Sequence, residues 1–313
     1  VIYICNVVLE HAEKIDKSID REAWNSAVGG AYFTRAYKYF SAARLWAKAY
    51  DPSTSGTDLG LPLRLVSDFN IKSHRSNVED TYAQIIEDAK RSIPFLPITA
   101  KHVLRPNRAA AYALVARVYL SMRYYTNAGL YADSSLQLNS TLLNYNDFNP
   151  GLNFPFTIYN KEILYHAVTG PPSVISASRA KIDSVLINSY VINDLMKELF
   201  YRKNSDGSYA FKGSYDESGN FFSGLTTDEA FMIRAECRAR QNNLTGALQD
   251  LNTVMITRWK TNTFVPFTAA TAGQALDIIL KERRKEFVMR DLRWSDIKRL
   301  NKENRNIRPK LVL

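Results

Sequence analysis

A chain of 313 residues with 46% hydrophobic and 23% charged residues is long enough to bury a large core, which excludes disorder as a global description. The formal net charge of +10 comes from 41 Lys and Arg scattered among 31 Asp and Glu, with no basic stripe, so nucleic acid is not an expected partner. No apolar stretch reaches the about 18 residues of a membrane-spanning helix, and Cys5 and Cys237 lie in no CxxC, so they are expected as two free thiols.

Helical periodicity dominates the N-terminal part. The opening Val1-Ile2-Tyr3-Ile4-Cys5-Asn6 reads as the inside of a helix, and the chain is expected to begin downstream of the true N-terminus. Ile4, Val8, Ile15 and Ile19 form one apolar stripe at helical spacing. A second helix is predicted from about 21 to 50, rich in Ala and aromatics, with Tyr32, Phe33, Tyr37, Tyr39 and Phe40 packing between helices and Gly29-Gly30 marking a close contact or a kink. Asp51-Pro52-Ser53-Thr54-Ser55-Gly56 breaks it. Ser76-Asn77-Val78-Glu79 reads as a capping box opening a helix that ends near Pro94, and Pro106 sits at a first helical position ahead of an Ala-rich run.

Ala116, Tyr119, Tyr125 and Ala128 match the small-large-small spacing of a tetratricopeptide helical hairpin. Ala235 and Ala247 repeat the same separation, with Arg238 in place of the aromatic. Small residues at such points let paired helices approach closely. Two further capping boxes, Thr226 to Glu229 and Thr271 to Gln274, each precede an apolar-periodic run.

The stretch from about 139 to 225 differs. It carries Asn149-Pro150-Gly151, Gly170-Pro171-Pro172, Asp206-Gly207 and many aromatics, with a short strand predicted at 162–166. Binding residues are often carried on such loops over a rigid scaffold.

No catalytic motif is present. His11, His74, His102 and His166 form no metal-ligand spacing, and there is no GxSxG elbow, P-loop or GxGxxG. Neither a metal nor a cofactor is expected. What remains is an aromatic content of 18 Tyr, 15 Phe and 4 Trp. Flat aromatic faces suit sugar C–H surfaces and peptide side chains alike. The ligand-contact candidates are Trp46 and Tyr50, taken as partly exposed at the end of the second helix, Tyr159, Tyr215 and Phe221 in the loop-rich part, and Trp259 beside Arg258.

Several separated segments carry a resemblance. These are Arg35-Ala36-Tyr37-Lys38-Tyr39-Phe40 with Ala43-Arg44-Leu45-Trp46, then Gly60-Leu61-Pro62-Leu63-Arg64, then the run from Ala109 to Leu120, and most specifically Glu282-Arg283-Arg284-Lys285-Glu286-Phe287-Val288-Met289-Arg290-Asp291-Leu292-Arg293-Trp294 onward to Leu300. In order and spacing the chain resembles the SusD/RagB family, the outer-membrane nutrient-binding lipoproteins of Bacteroidetes-type bacteria. The charged ending also has a physical reading: a partly buried ion network pinning the last helix, anchored by Trp294 and Ile297, with a structural role.

The resemblance implies a mainly all-α fold of tetratricopeptide-like hairpins with a loop-rich insertion. One SusD-like domain over 1–313 is expected, with a helical scaffold at about 1–138 and 226–300 and a ligand-facing region at about 139–225. It further implies a surface-exposed outer-membrane lipoprotein that binds an oligosaccharide or similar nutrient, without catalysis, and passes it to a SusC-like TonB-dependent transporter. Family members carry a lipid anchor and a proline-rich tail, whereas Cys5 lacks a lipobox and Arg308-Pro309-Lys310-Leu311-Val312-Leu313 ends abruptly. No family site residue is carried over. The alternatives are a peptide-binding RagB-like protein, an intracellular tetratricopeptide scaffold, and a glycan-cleaving enzyme with two carboxylates across a cleft.

Overall fold

The computed structural model describes residues 1–171 and 173–307. The expectations placed on Pro172 and on the tail from Arg308 to Leu313 lie outside the described residues. In chain order the helices are α1 (Ile2–Ala12), α2 (Arg21–Trp46), α3 (Val78–Ser92), α4 (Arg108–Ser121), α5 (Tyr125–Leu138), α6 (Ser184–Ile187), α7 (Leu195–Phe200), α8 (Thr227–Arg240), α9 (Leu244–Met255), α10 (Ala272–Glu286) and α11 (Arg293–Asn301). The strands are β1 (Leu59–Pro62), β2 (Arg75–Asn77), β3 (Ile163–Tyr165), β4 (Val168–Thr169), β5 (Tyr201–Lys203), β6 (Tyr209–Phe211), β7 (Phe221–Phe222) and β8 (Leu225–Thr226). Short antiparallel pairs β1–β2, β3–β8, β4–β7 and β5–β6 are the sheets found among the described residues, so the fold is mainly α-helical. The chain divides into two compact units, one of Val1–Leu138 with the described residues from Trp294 on, the other of Asn139–Arg293.

In the first unit each helix from α1 to α5 packs against the next in the chain. Gly29 of α2 lies where an added Cβ would meet Leu96 and Phe95 at 3.0 Å, so it serves the close contact, while Gly30 faces open space. Phe33, Tyr37, Tyr39 and Phe40 are buried along α2, as their crowding implied. Arg35 crosses to α3, where Nε and Nη2 donate to Asp88 at 2.7 and 2.6 Å, a bidentate pair that ties the two helices. Lys298 of α11 donates to the carbonyls of Arg44 and Ala47, satisfying groups left open at the C-terminus of α2.

The stripe of Ile4, Val8, Ile15 and Ile19 does not form one buried helical face, because α1 ends at Ala12 and its buried positions are Cys5, Asn6 and Ala12. Ile15 and Ile19 instead line an open apolar groove with Val8 and Trp24. Asn77, not Ser76, caps α3 by accepting from the Asp80 amide at 2.7 Å; the Ser76 hydroxyl is engaged with the Leu61 carbonyl and Thr81. Asn107 caps α4, which places Pro106 before the helix instead of inside it.

The two repeat copies are both helical hairpins. In α4–α5, Ala116 and Ala128 are fully buried with Tyr119 packed beside them. In the second unit α8–α9 buries Ala235 and Ala247 in the same way. Arg238, standing where an aromatic was expected, donates to Asp250 and the Gly246 carbonyl at 2.8 and 3.3 Å, so an ion pair takes the place of a ring at that turn. Thr226 precedes α8 but makes no capping bond; its hydroxyl oxygen instead accepts from Arg290 at 2.7 Å. Thr271 does cap α10, accepting from the Gln274 amide at 3.2 Å while the Gln274 side chain accepts from the Ala270 amide.

Candidate functional site

The charged ending supplies the centre of the second unit. Arg258, fully buried after α9, donates through Nη2 to Glu162 at 2.7 Å and through Nε to Glu286 at 2.9 Å, while Nη1 bonds the Leu143 carbonyl at 2.7 Å. Asp228 lies between Arg258 at 3.8 Å and Arg290 at 3.6 Å. Arg258 also covers the Tyr145 ring at 4.2 Å, and Arg290 covers Tyr215 and Phe222 at 4.6 and 4.8 Å. Three carboxyls thus face two guanidinium groups away from water.

Burial raises the Glu286 carboxyl to about 8 against the pull of Arg258, with Asp228 and Glu162 adding to the rise. The same burial acts on Asp228, but Arg290 and Arg258 outweigh it and leave that carboxyl lowered. Glu286 therefore holds a proton and Asp228 stays ionised. A side-chain hydrogen bond from Glu286 adds to the lowering of Asp228, as suits a protonated Glu286 beside an ionised Asp228. A second buried knot joins Lys285 to Asp194 and Glu282, each at 2.7 Å. The network is more deeply buried than the sequence implied. Trp294 is not its anchor, because that side chain is 47% exposed.

The six aromatic candidates separate sharply. Trp46, at the last residue of α2, is 72% exposed. Tyr50 was expected to be partly exposed and is instead buried, with its hydroxyl donating to Glu79 at 2.6 Å and paired with the Tyr124 hydroxyl at 3.0 Å. Tyr215 is also buried: its hydroxyl donates to Glu162 at 2.7 Å, which draws the ring into the ion cluster. Tyr159 is 39% exposed, sits at φ 57° and packs its ring edge-on to His166 at 4.9 Å. Trp259 is half-buried against Phe264, and its indole N–H meets no acceptor among the described residues.

Phe221 is buried against Phe211 but keeps one surface on a cavity of about 210 Å³ within the second unit. The strand β7, paired with β4, carries Phe221, and the β5–β6 hairpin brings Arg202 and Phe211 to the same cavity. Phe154 from the preceding loop is 40% exposed there, and Ser214, Ser218 and Lys212 complete the polar part of the wall. Lys212 Nζ is held by the carbonyls of Pro150 and Leu152. Its ammonium is lowered from the usual lysine range by burial and then by Arg202. Phe154, Arg202 and Lys212 were not among the sequence candidates; Phe154 carried no signal beyond its place in the loop-rich stretch, and the two cations none beyond the overall basic charge.

Of the six candidates, the structure brings only Phe221 to this cavity. The arrangement offers aromatic walls with a few polar and cationic groups, the usual chemistry of a small-ligand subsite. The carboxyl cluster offers no hydrolytic chemistry, since Glu162, Asp228 and Glu286 are closed to solvent.

Two family models match the chain. One, SusD-like and described as "starch-binding associating with outer membrane", matches residues 1–120; the other, the SusD family, matches residues 225–310. A search of curated proteins finds no significant match. Among solved structures, a SusD-like carbohydrate-binding protein from Bacteroides vulgatus is 20% identical, with a TM-score of 0.76 over 96% of this chain and 67% of its own. A SusD superfamily protein from Bacteroides thetaiotaomicron is 23% identical with a TM-score of 0.76, over 95% of this chain and 72% of its own. One from Parabacteroides distasonis is 17% identical with a TM-score of 0.74, over 95% and 72%. With SusD models matched toward both ends, and that fold shared along nearly all of its length, the chain belongs to the SusD/RagB family.

Proposed function

We propose that this protein captures a nutrient glycan at the outer-membrane surface and passes it, uncleaved, to a SusC-like TonB-dependent transporter. The observation that carries the reading is the cavity of the second unit, where Phe154, Phe211 and Phe221 offer aromatic surface beside the hydroxyls of Ser214 and Ser218. Aromatic faces take up the C–H face of a sugar ring, and hydroxyls pair with its edge. Family membership supports the setting, because one matched model is described as starch-binding and outer-membrane-associated. Among the described residues no helix is long and apolar enough to cross a membrane. Trp46 and Tyr159 are the exposed members of the six aromatic candidates and are the further faces offered to a ligand. Loop-rich residues from about 139 to 225 form the ligand-facing part of the proposed binder.

The test is calorimetric titration of the protein with separate panels of neutral and acidic oligosaccharides and of oligopeptides, followed by product analysis. The expected result is saturable binding to an oligosaccharide with no cleavage products. Binding restricted to peptides would replace the glycan by a peptide nutrient, and released sugar products would overturn the non-catalytic reading.

A further inference from the structure

We infer that the cavity of the second unit selects an acidic sugar, one carrying a carboxylate or sulfate, through Arg202 and Lys212. The inference rests on the glycan-capture reading and specifies its ligand class. Both cations line the cavity, and among the described residues no carboxylate lines it with them. Arg202 has no hydrogen-bond or ion-pair partner among the described residues, so the five donors of its guanidinium are uncommitted. Lys212 is committed only to two neutral carbonyls, Pro150 and Leu152, which fix its position without neutralising it and leave one of its three N–H donors.

Burial takes hydration from the Lys212 ammonium and the like charge of Arg202 adds to the cost, and the lowered proton affinity of Lys212 expresses both, burial first. Nothing inside the fold repays it. An anionic group between them would, and Arg is suited to meet a planar carboxylate with two parallel bonds. Phe154, Phe211 and Phe221 then supply an apolar face for the ring that bears the anion. Whole-ligand pockets run about 300–1,000 Å³, so a cavity of about 210 Å³ suits one ring of a longer chain. Other salt-linked cations of this unit differ: Lys260 pairs with Glu198, Arg284 with Asp183 and Lys181 with Asp206.

The experiment titrates the protein with oligogalacturonate, mannuronate oligomers and a chondroitin sulfate tetrasaccharide, each beside a methyl-esterified or desulfated counterpart. Neutral starch and xylan oligosaccharides and an acidic peptide complete the set. Wild type is compared with Arg202→Ala and Lys212→Met, whose melting temperatures report folding. The inference expects an acidic member to bind at least about tenfold tighter than its neutralised counterpart, with that preference lost in Arg202→Ala and weakened by salt. Equal affinity for charged and neutral forms, or an unchanged preference in both variants, would overturn the inference and leave glycan capture standing. Binding of the peptide alone, or of no glycan at all, would overturn both. Should Lys212→Met fail to fold, the Arg202→Ala comparison decides, since that side chain is exposed and holds nothing in the fold.

Discussion

Arg258 shows what a single buried charge demands of its surroundings. Placing a guanidinium out of water requires that nearly all its donors be met, and Glu162, Glu286 and the Leu143 carbonyl do so. A third carboxyl, Asp228, then exceeds the available positive charge, and the excess is relieved by keeping Glu286 protonated. The sign of the pH dependence follows. The Glu286 pKa is about 8 in the folded protein against 4.5 for the unfolded group, so between those values the native state holds a proton that the unfolded state has released. Its contribution to stability is therefore complete below about 4.5 and is lost as pH rises toward about 8. Glu162, also raised by burial, and Asp194, raised to about 6, act in the same direction. Denaturant midpoints measured from pH 5 to 8 are expected to fall with pH, and Glu286→Gln is expected to flatten that slope. Gln imitates the protonated acid, accepting from Arg258 while donating toward Asp228. A slope unchanged in the variant would show that Glu286 is ionised throughout.

At the scale of elements, cap chemistry decides where helices begin, and it separates two adjacent residues that look equivalent in sequence. Ser76 and Asn77 are both good N-cap types, and a Glu three residues after Ser76 favours Ser76. The β1–β2 pairing settles the matter, because Leu59 is opposite Asn77 and the Ser76 hydroxyl is occupied by the Leu61 carbonyl on the neighbouring strand. Gly60 belongs to the same junction, with no room for a Cβ 2.2 Å from the Asn77 carbonyl. Asn77→Ala is expected to cost about 1 kcal/mol and to speed hydrogen exchange at the Asp80 amide, whereas Ser76→Ala leaves that amide protected. The reverse pattern would restore Ser76 as the cap. The helical hairpins were legible from sequence because Ala116, Ala128, Ala235 and Ala247 report a purely local requirement, close helix approach. The stripe through Ile15 and Ile19 misled because periodicity does not show where a helix stops, and no strong breaker follows Ala12.

For the whole molecule, the family and its mainly helical architecture were readable from separated segments whose order survives low overall identity. The binding surface was far less so. Aromatic residues on loops look alike in sequence, yet Tyr215 is drawn inward by a carboxylate from β3's neighbourhood while Tyr159, also on a loop, remains at the surface. Tyr50 was similarly misjudged, since Glu79 and Tyr124 come from distant positions that no local pattern announces. Only folding brings Phe154, Arg202, Lys212 and Phe221 from four segments to one cavity. The central claim is that this cavity holds the captured sugar, and Phe154 tests it best because it lines the wall while remaining 40% exposed. The decisive measurement is the calorimetric affinity of wild type and Phe154→Ala for the tightest-binding oligosaccharide, with melting curves alongside. The account predicts an affinity loss of about tenfold, the scale of one lost aromatic contact, with melting unchanged. Equal affinities in two equally stable proteins would contradict it and place the sugar elsewhere.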